Sequence, residues 1–218
     1  ENGGEALALT DHGNMNGFSH QFLHWQKMKD EGKEFKPIFG VEAYFLPSID
    51  EWRDDYDRIK EDAKLAKSLA KQGDTSGATV EDEEASKKAI KSVINRRRHL
   101  VLLAQNQTGL NNLFKLISES YREENFYRYP RVDYKLLDKY SEGVIAASAC
   151  LGGPYAGNYW ANREEGPEAV MEAMRETSRQ FVKIFGDRWY GELQWNNIPE
   201  QHELNQYIIK VCKEFDIT

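Results

Sequence analysis

Along this chain, short apolar runs alternate with amphipathic stretches whose apolar residues recur every three or four positions. That alternation predicts an α/β fold with helices crossing between parallel strands. Strands are expected at residues 6–10, 37–45, 99–104, 144–147 and 189–193. Helices are expected at 18–29, 109–121, 167–184 and 199–215, with Gly32, Gly40, Gly143 and Gly186 punctuating the joins. Residues 49–98 depart from this rhythm. They are densely charged and helical in character, with an interruption at 72–77. Trp52, Tyr56, Ile59, Ala63, Ala66 and Leu69 mark one apolar stripe there, and residues 81–95 suit a second helix. The stretch reads as a helical hairpin inserted in a barrel-like domain, its stripe packed on the body. A solvated charged excursion and a partner-binding element both fit it.

Length and composition narrow the class. With 218 residues the chain has room for one substantial core, and 40% hydrophobic with 30% charged residues is a globular, water-facing balance. No apolar run reaches the ~18 residues of a membrane-spanning helix, and the start carries no basic and apolar leader. The chain opens on Glu1, enters a strand pattern almost at once and stops directly after a helix pattern, so an excerpt cut at both ends is expected. Cys150 and Cys212 are the two cysteines, far apart and outside any CxxC spacing. This argues against a disulfide framework or zinc ribbon and for a reducing cytoplasm. A net charge of −7 makes the chain by itself a poor DNA clamp, because gripping phosphates takes cations. In a DNA enzyme, other parts must hold most of the DNA.

Four residues carry candidate chemistry. His12 follows the first strand in Thr10-Asp11-His12-Gly13-Asn14, at the carboxyl end where α/β barrels assemble active sites. Histidine is a common metal ligand and Asp11 beside it could orient the ring, while a capping or turn role suits Asp11 and Asn14 equally. Glu42 interrupts an apolar strand, which fits either a cation ligand or a solvated strand end. Cys150 closes another apolar run beside Gly152 and Gly153, as a ligand or as a small buried hydrophobe. His99 opens its strand instead of closing it, and spacing alone would not choose it. Together His, Glu, His and Cys suit zinc, manganese or iron, and clustered divalent ions ~3.5–4 Å apart are common agents of phosphoester hydrolysis. No phosphate-binding GxxxxGK[ST] loop, GxSxG elbow or HExxH helix competes.

The segments LALTDHGNMNG, KPIFGVEAYF, HLVLLAQNQTGLNNLFKLIS, YPRVDYKLLDKYSEGVIAASACLGG and ELQWNNIPEQ, in this order, resemble the PHP (polymerase and histidinol phosphatase) domain of bacterial DNA polymerase III alpha subunits. They cover most of the chain outside the charged insertion. The resemblance implies a distorted (β/α)7 barrel, here partial and cut at both ends, spanning residues 1–218 with an inserted helical hairpin at about 49–98. It implies a cluster of up to three divalent ions, zinc, manganese or iron, with His12, Glu42, His99 and Cys150 as ligands, and so brings in His99 where spacing did not. The family's HxH segment would lie before Glu1 and its [DN]x[HN] segment after Thr218. Its usual acidic-histidine pair after ELQ is replaced by Trp195-Asn196-Asn197.

For function, the resemblance implies part of a replicative DNA polymerase. Its magnesium-binding aspartates for nucleotide addition would lie in a palm domain outside this chain. The PHP domain itself would support 3′–5′ exonuclease proofreading or, with a decayed cluster, act as a scaffold docking a proofreading or other replisome subunit. A free-standing PHP phosphatase of the histidinol phosphate type is the competing enzyme. The implied partners are DNA, held mainly by other domains, and replisome subunits, in the cytoplasm of a bacterium or phage host and without a membrane. Tyr127, Tyr129 and Arg131 suit either contact with single-stranded DNA or the packing of a tyrosine-rich loop.

Overall fold

The computed structural model describes residues 4–71 and 80–218, and the expected interruption at 72–77 lies outside them. The elements are β1 (Ala6–His12), α1 (Phe18–Asp30), β2 (Lys36–Phe45), α2 (Ile49–Lys71), α3 (Val80–Asn95), β3 (Arg98–Ala104), α4 (Gln107–Ser120), β4 (Phe126–Tyr127), β5 (Tyr129–Pro130), α5 (Tyr134–Tyr140), β6 (Val144–Ala147), α6 (Pro154–Asn162), α7 (Pro167–Phe185), β7 (Trp189–Tyr190) and α8 (Pro199–Phe215). They divide into two units, Leu46–Arg97 and the remainder.

The larger unit is built on a five-stranded sheet in the order β1-β2-β3-β6-β7. Strand direction corrects the expectation of parallel strands. β1 pairs with β2, and β6 with β7, in parallel, whereas β3 runs antiparallel to both of its neighbours. The physical reason is the connection. A crossover helix carries the chain back to the start of the next strand, but the helical excursion after β2 returns it to the end it left. Phe45, the last residue of β2, is therefore the register partner of Arg98, the first of β3. Of the expected (β/α)7 barrel, the described residues thus show a mixed five-stranded sheet with eight α-helices.

Strand alternation divides the sheet into two unlike faces. Val41, Ala43, Phe45, Leu100, Leu102, Val144 and Ala146 are buried on one face, under Leu113 and Leu116 of α4, Tyr155 and Tyr159 of α6, Phe181 and Phe185 of α7 and Ile208 of α8. Glu42, Tyr44, His99, Val101, Leu103, Ile145 and Ala147 lie on the other face and are only half-buried. Phe181 anchors the covered face, stacked on Trp189 at 4.2 Å and packed against Phe45 at 5.2 Å.

Element ends follow local chemistry. Asn106 caps α4 by accepting from the Gly109 N–H, so the helix begins two residues before the expected position. Gly109 is required there, because a side chain would meet the Gly143 carbonyl. Two helices lacked an apolar periodicity long enough to predict. α5 is only two turns, capped by Asp133 onto the Leu136 N–H, and α6 is rich in small and aromatic residues and starts at Pro154. β7 stops three residues short of its expected end, since Gly191 donates to Thr218 and Glu192 to the Ser148 hydroxyl.

The smaller unit is a helical hairpin, α2 against α3. The aromatic end of the predicted stripe faces α3: Trp52 stacks on Tyr56 at 5.6 Å and its indole donates to the Val93 carbonyl at 2.8 Å. Asp55 pairs with Arg58 on its own helix and with Arg96, the residue after α3.

Phe181→Ala removes a ring with no solvent exposure from between Trp189, Phe45 and Tyr134. It is expected to cost about 3–5 kcal/mol in a urea or guanidinium melt, with little change in slope.

Candidate metal centre

Four chain segments deliver side chains to one end of the sheet. His12 is the last residue of β1 and Glu42 its register partner on β2, so both side chains share a face. The reversed direction of β3 places His99 at that same end, opposite Tyr44 and one pleat from Glu42. Cys150 follows β6, in a turn that lies over the start of β3, where the His99 N–H donates to the Gly152 carbonyl at 2.9 Å. This turn depends on small residues. A side chain on Gly152 would press on the His99 ring, and one on Gly153 would overlap the Ser148 carbonyl. Ala149, directly before Cys150, holds a left-handed φ of 56°, the kind of local strain concentrated at functional sites.

The four side chains meet in a row. Oε1 of Glu42 lies 2.9 Å from Nδ1 of His12 and 2.8 Å from Nδ1 of His99, and the latter nitrogen lies 3.5 Å from Sγ of Cys150. Glu42 is 17% exposed, which disposes of the solvated strand end; His99 is intermediate and His12 open to solvent at 66%. Oε1 of Glu42 is buried between these two imidazole nitrogens. Cys150 is half-buried and also accepts from the Gly152 N–H. Tyr44 and Tyr129 extend the site: the Tyr44 ring lies 5.8 Å from His99 and 5.7 Å from Tyr129. Neither was expected at the site, although the period-two alternation that points Glu42 inward points Tyr44 the same way.

Asp11 serves the turn. Its carboxylate accepts from the Gly17 N–H at 2.7 Å, while Asn14 donates to the His12 carbonyl and accepts from the Asn16 N–H. The carboxylate beside the His12 ring belongs to Glu42. Trp195 is 82% exposed, and nothing in the structure gives it a task. A cavity of about 370 Å³ lined by Ile38, Leu103, Gln105 and Ile145 lies at the opposite end of the sheet.

Charge in the row is coupled. The Cys150 sulfur, then the Glu42 carboxylate, raise His99 from 6.5 to about 9 against the cost of burial. In return, His99 lowers both Glu42 and Cys150 below their usual ranges. Cys212, deep in the core, is pushed up to about 11 by burial.

Among the described residues, no group of three or more His, Cys, Asp and Glu side chains surrounds a common point as a ready metal cage. The donor set nevertheless fits a divalent ion. Zinc-like ions take imidazole, carboxylate and thiolate ligands, and the buried Oε1 of Glu42 is an acceptor suited to a cation.

The PHP domain family model matches residues 1–196. The chain belongs to the PHP domain family. It is 37% identical over its whole length to the DNA polymerase III subunit alpha of Aquifex aeolicus and 36% identical over 97% of its length to that of Borreliella burgdorferi. The Campylobacter jejuni subunit matches at 33% over the whole chain. This PHP chain spans about 15% of the length of these relatives. No helix among the described residues is long and apolar enough to cross a membrane.

Two outcomes test the coupling in chelator-treated protein. The His99 contribution to stability is whole below 6.5 and lost as pH rises through about 9; the Glu42 contribution is whole above 4.5 and lost as pH falls below it. Urea resistance should therefore be greatest between those limits, and His99→Gln should flatten the alkaline decline. At pH 7 the thiolate fraction of Cys150 should exceed that of Cys212 by at least about 100-fold. Iodoacetamide labelling read by mass spectrometry should show Cys150 modified first, and more slowly in His99→Gln.

Proposed function

We propose that this PHP domain works within a bacterial DNA polymerase III alpha subunit, in the cytoplasm, and holds divalent ions that support 3′–5′ exonuclease proofreading. One observation carries the reading. Residues 12, 42, 99 and 150, scattered in sequence, form one contiguous nitrogen, oxygen, nitrogen and sulfur set at a single end of the sheet. The relatives named above are all polymerase subunits, which weighs against a free-standing phosphomonoesterase.

His12, Glu42, His99 and Cys150 would hold the ions, and zinc, manganese or iron suits their mixed donors. A divalent ion bound there supplies Lewis-acid polarisation of a phosphoryl oxygen and a water activated at neutral pH. The chain's own contribution is placement. Glu42 presents an anionic oxygen between two imidazoles, and His99 favours the thiolate form of Cys150. The Asp11–Gly17 hydrogen bond fixes the turn from which His12 projects. Distorted-barrel closure, the polymerase site with its magnesium, and contacts to DNA and to other replisome subunits belong to the rest of such a protein in this reading. A docking module without hydrolysis is the second reading, favoured by the way the four side chains already engage one another.

The test uses the intact alpha subunit, purified without chelators. Elemental analysis should find transition-metal ions, and Glu42→Gln should lose metal and lower excision of a mispaired 3′ nucleotide at least 10- to 100-fold while nucleotide addition continues. Wild-type protein free of metal, or a variant with undiminished excision, would sink the exonuclease reading and leave the docking role.

A further inference from the structure

The β4–β5 hairpin is a two-rung ladder, Phe126 opposite Pro130 and Tyr127 opposite Tyr129, turned by the single residue Arg128. That tip is strained, because Arg128 holds a left-handed φ of 59°. The strain is maintained from beneath. Arg131 is fully buried, and its guanidinium donates to the Tyr127 and Tyr129 carbonyls at 2.9 and 3.0 Å, one on each side of the tip. Burying an arginine to brace a three-residue turn is costly, and the residues it keeps at the surface are Phe126, Tyr127 and Arg128.

Direction matters as much as exposure. Residues directly opposite in a ladder share a face, so Tyr127 lies on the Tyr129 side, while Phe126 turns the other way and stacks on Tyr121. From Tyr129 the ring contacts continue to Tyr44 and on to His99. Pro130, at the base of the hairpin, closes with Tyr44 over Gly13, the residue after His12. The exposed tip is thus continuous with the candidate metal centre through a wall of aromatic rings.

We propose that this hairpin docks the unpaired 3′ end of single-stranded DNA, with Tyr127 stacked on a terminal base and Arg128 paired to an adjoining phosphate. The proposal rests on the exonuclease reading of the adjoining centre and names the element that brings it substrate. An aromatic face takes any base, as a proofreading site must. Net charge decides how the contact is made. The chain carries −7, and Glu123 and Glu124 precede the hairpin, so stacking carries the affinity and Arg128 supplies a single phosphate contact. Salt dependence should be correspondingly shallow, with a slope of about −0.7 from that one contact. Arg131, with its guanidinium bonded to the two carbonyls, acts as a positioning residue for the tip.

The experiment uses the intact alpha subunit and an oligonucleotide carrying 5-iodouracil at its 3′ end. After irradiation and digestion, cross-links are expected on Tyr127 or its immediate neighbours. Tyr127→Ala should raise KM for 3′-end removal roughly 5- to 150-fold with kcat held, and Tyr127→Trp should restore it. Arg128→Gly suits the left-handed backbone and so keeps the fold; it should raise KM several-fold and abolish the hairpin's share of the salt dependence. Cross-links confined to other parts of the chain, or an unchanged KM in Tyr127→Ala, overturn the proposal. Glu42→Gln separates the two ideas: cross-linking retained while hydrolysis is undiminished removes the metal-centre reading and leaves hairpin docking standing.

Discussion

The antiparallel pairing of β3 with β2 is the constraint on which the rest of this domain depends. With Phe45 opposite Arg98, the chain re-enters the sheet at the end it left, and the first residues of β3 fall beside the last residues of β2 and β6, at the sheet end where β1 also finishes. Had β3 followed a crossover helix in parallel, His99 would sit at the other end of the sheet, about 20 Å away for a seven-residue strand. Closing a long loop grows more costly only with the logarithm of its length, so an excursion the size of Leu46–Arg97 is tolerable between two paired residues. One reversal of direction thus places the His99 imidazole where a crossover connection could not.

The same sheet divides two kinds of work between its faces. The covered face follows the ordinary rules of a core, with branched and aromatic side chains fully removed from water and a tightly stacked Phe181–Trp189 pair at its centre. The opposite face is half-buried, an intermediate environment that suits ionisable side chains. There a carboxylate is desolvated enough for neighbouring imidazoles to control its charge, yet not so deeply that it must be neutral. Glycines at 152 and 153 complete the arrangement by letting the Cys150 turn press onto the start of β3.

Charge and aromaticity are distributed unevenly around this centre. The chain as a whole is acidic, and aromatic ring contacts run from His99 to the hairpin. Buried Arg131 braces the hairpin from beneath by holding the carbonyls of a strained turn. Within the tyrosine-rich loop Arg131 is buried and Tyr129 half-buried, while Tyr127 and Arg128 are exposed.

Most of the element order was legible in sequence, because apolar periodicity reports which face of a segment is buried; Val144–Ala147 and Pro199–Phe215 fall where that periodicity puts them. Motif likeness to PHP domains also pointed to His12, Glu42, His99 and Cys150, and the structure brings those four into contact. Short α5 and the small, aromatic α6 were not legible, since two turns or a run of glycine, alanine and tyrosine carry too little period to register. Strand direction was not legible either, because alternation along a strand is identical whichever way it runs. Only the tertiary structure decided that β3 is reversed, that Asp11 holds a turn while Glu42 flanks His12, and that Tyr44 and Tyr129 line the site. Each of these depends on which segment lies beside which, and one-dimensional spacing contains no record of that.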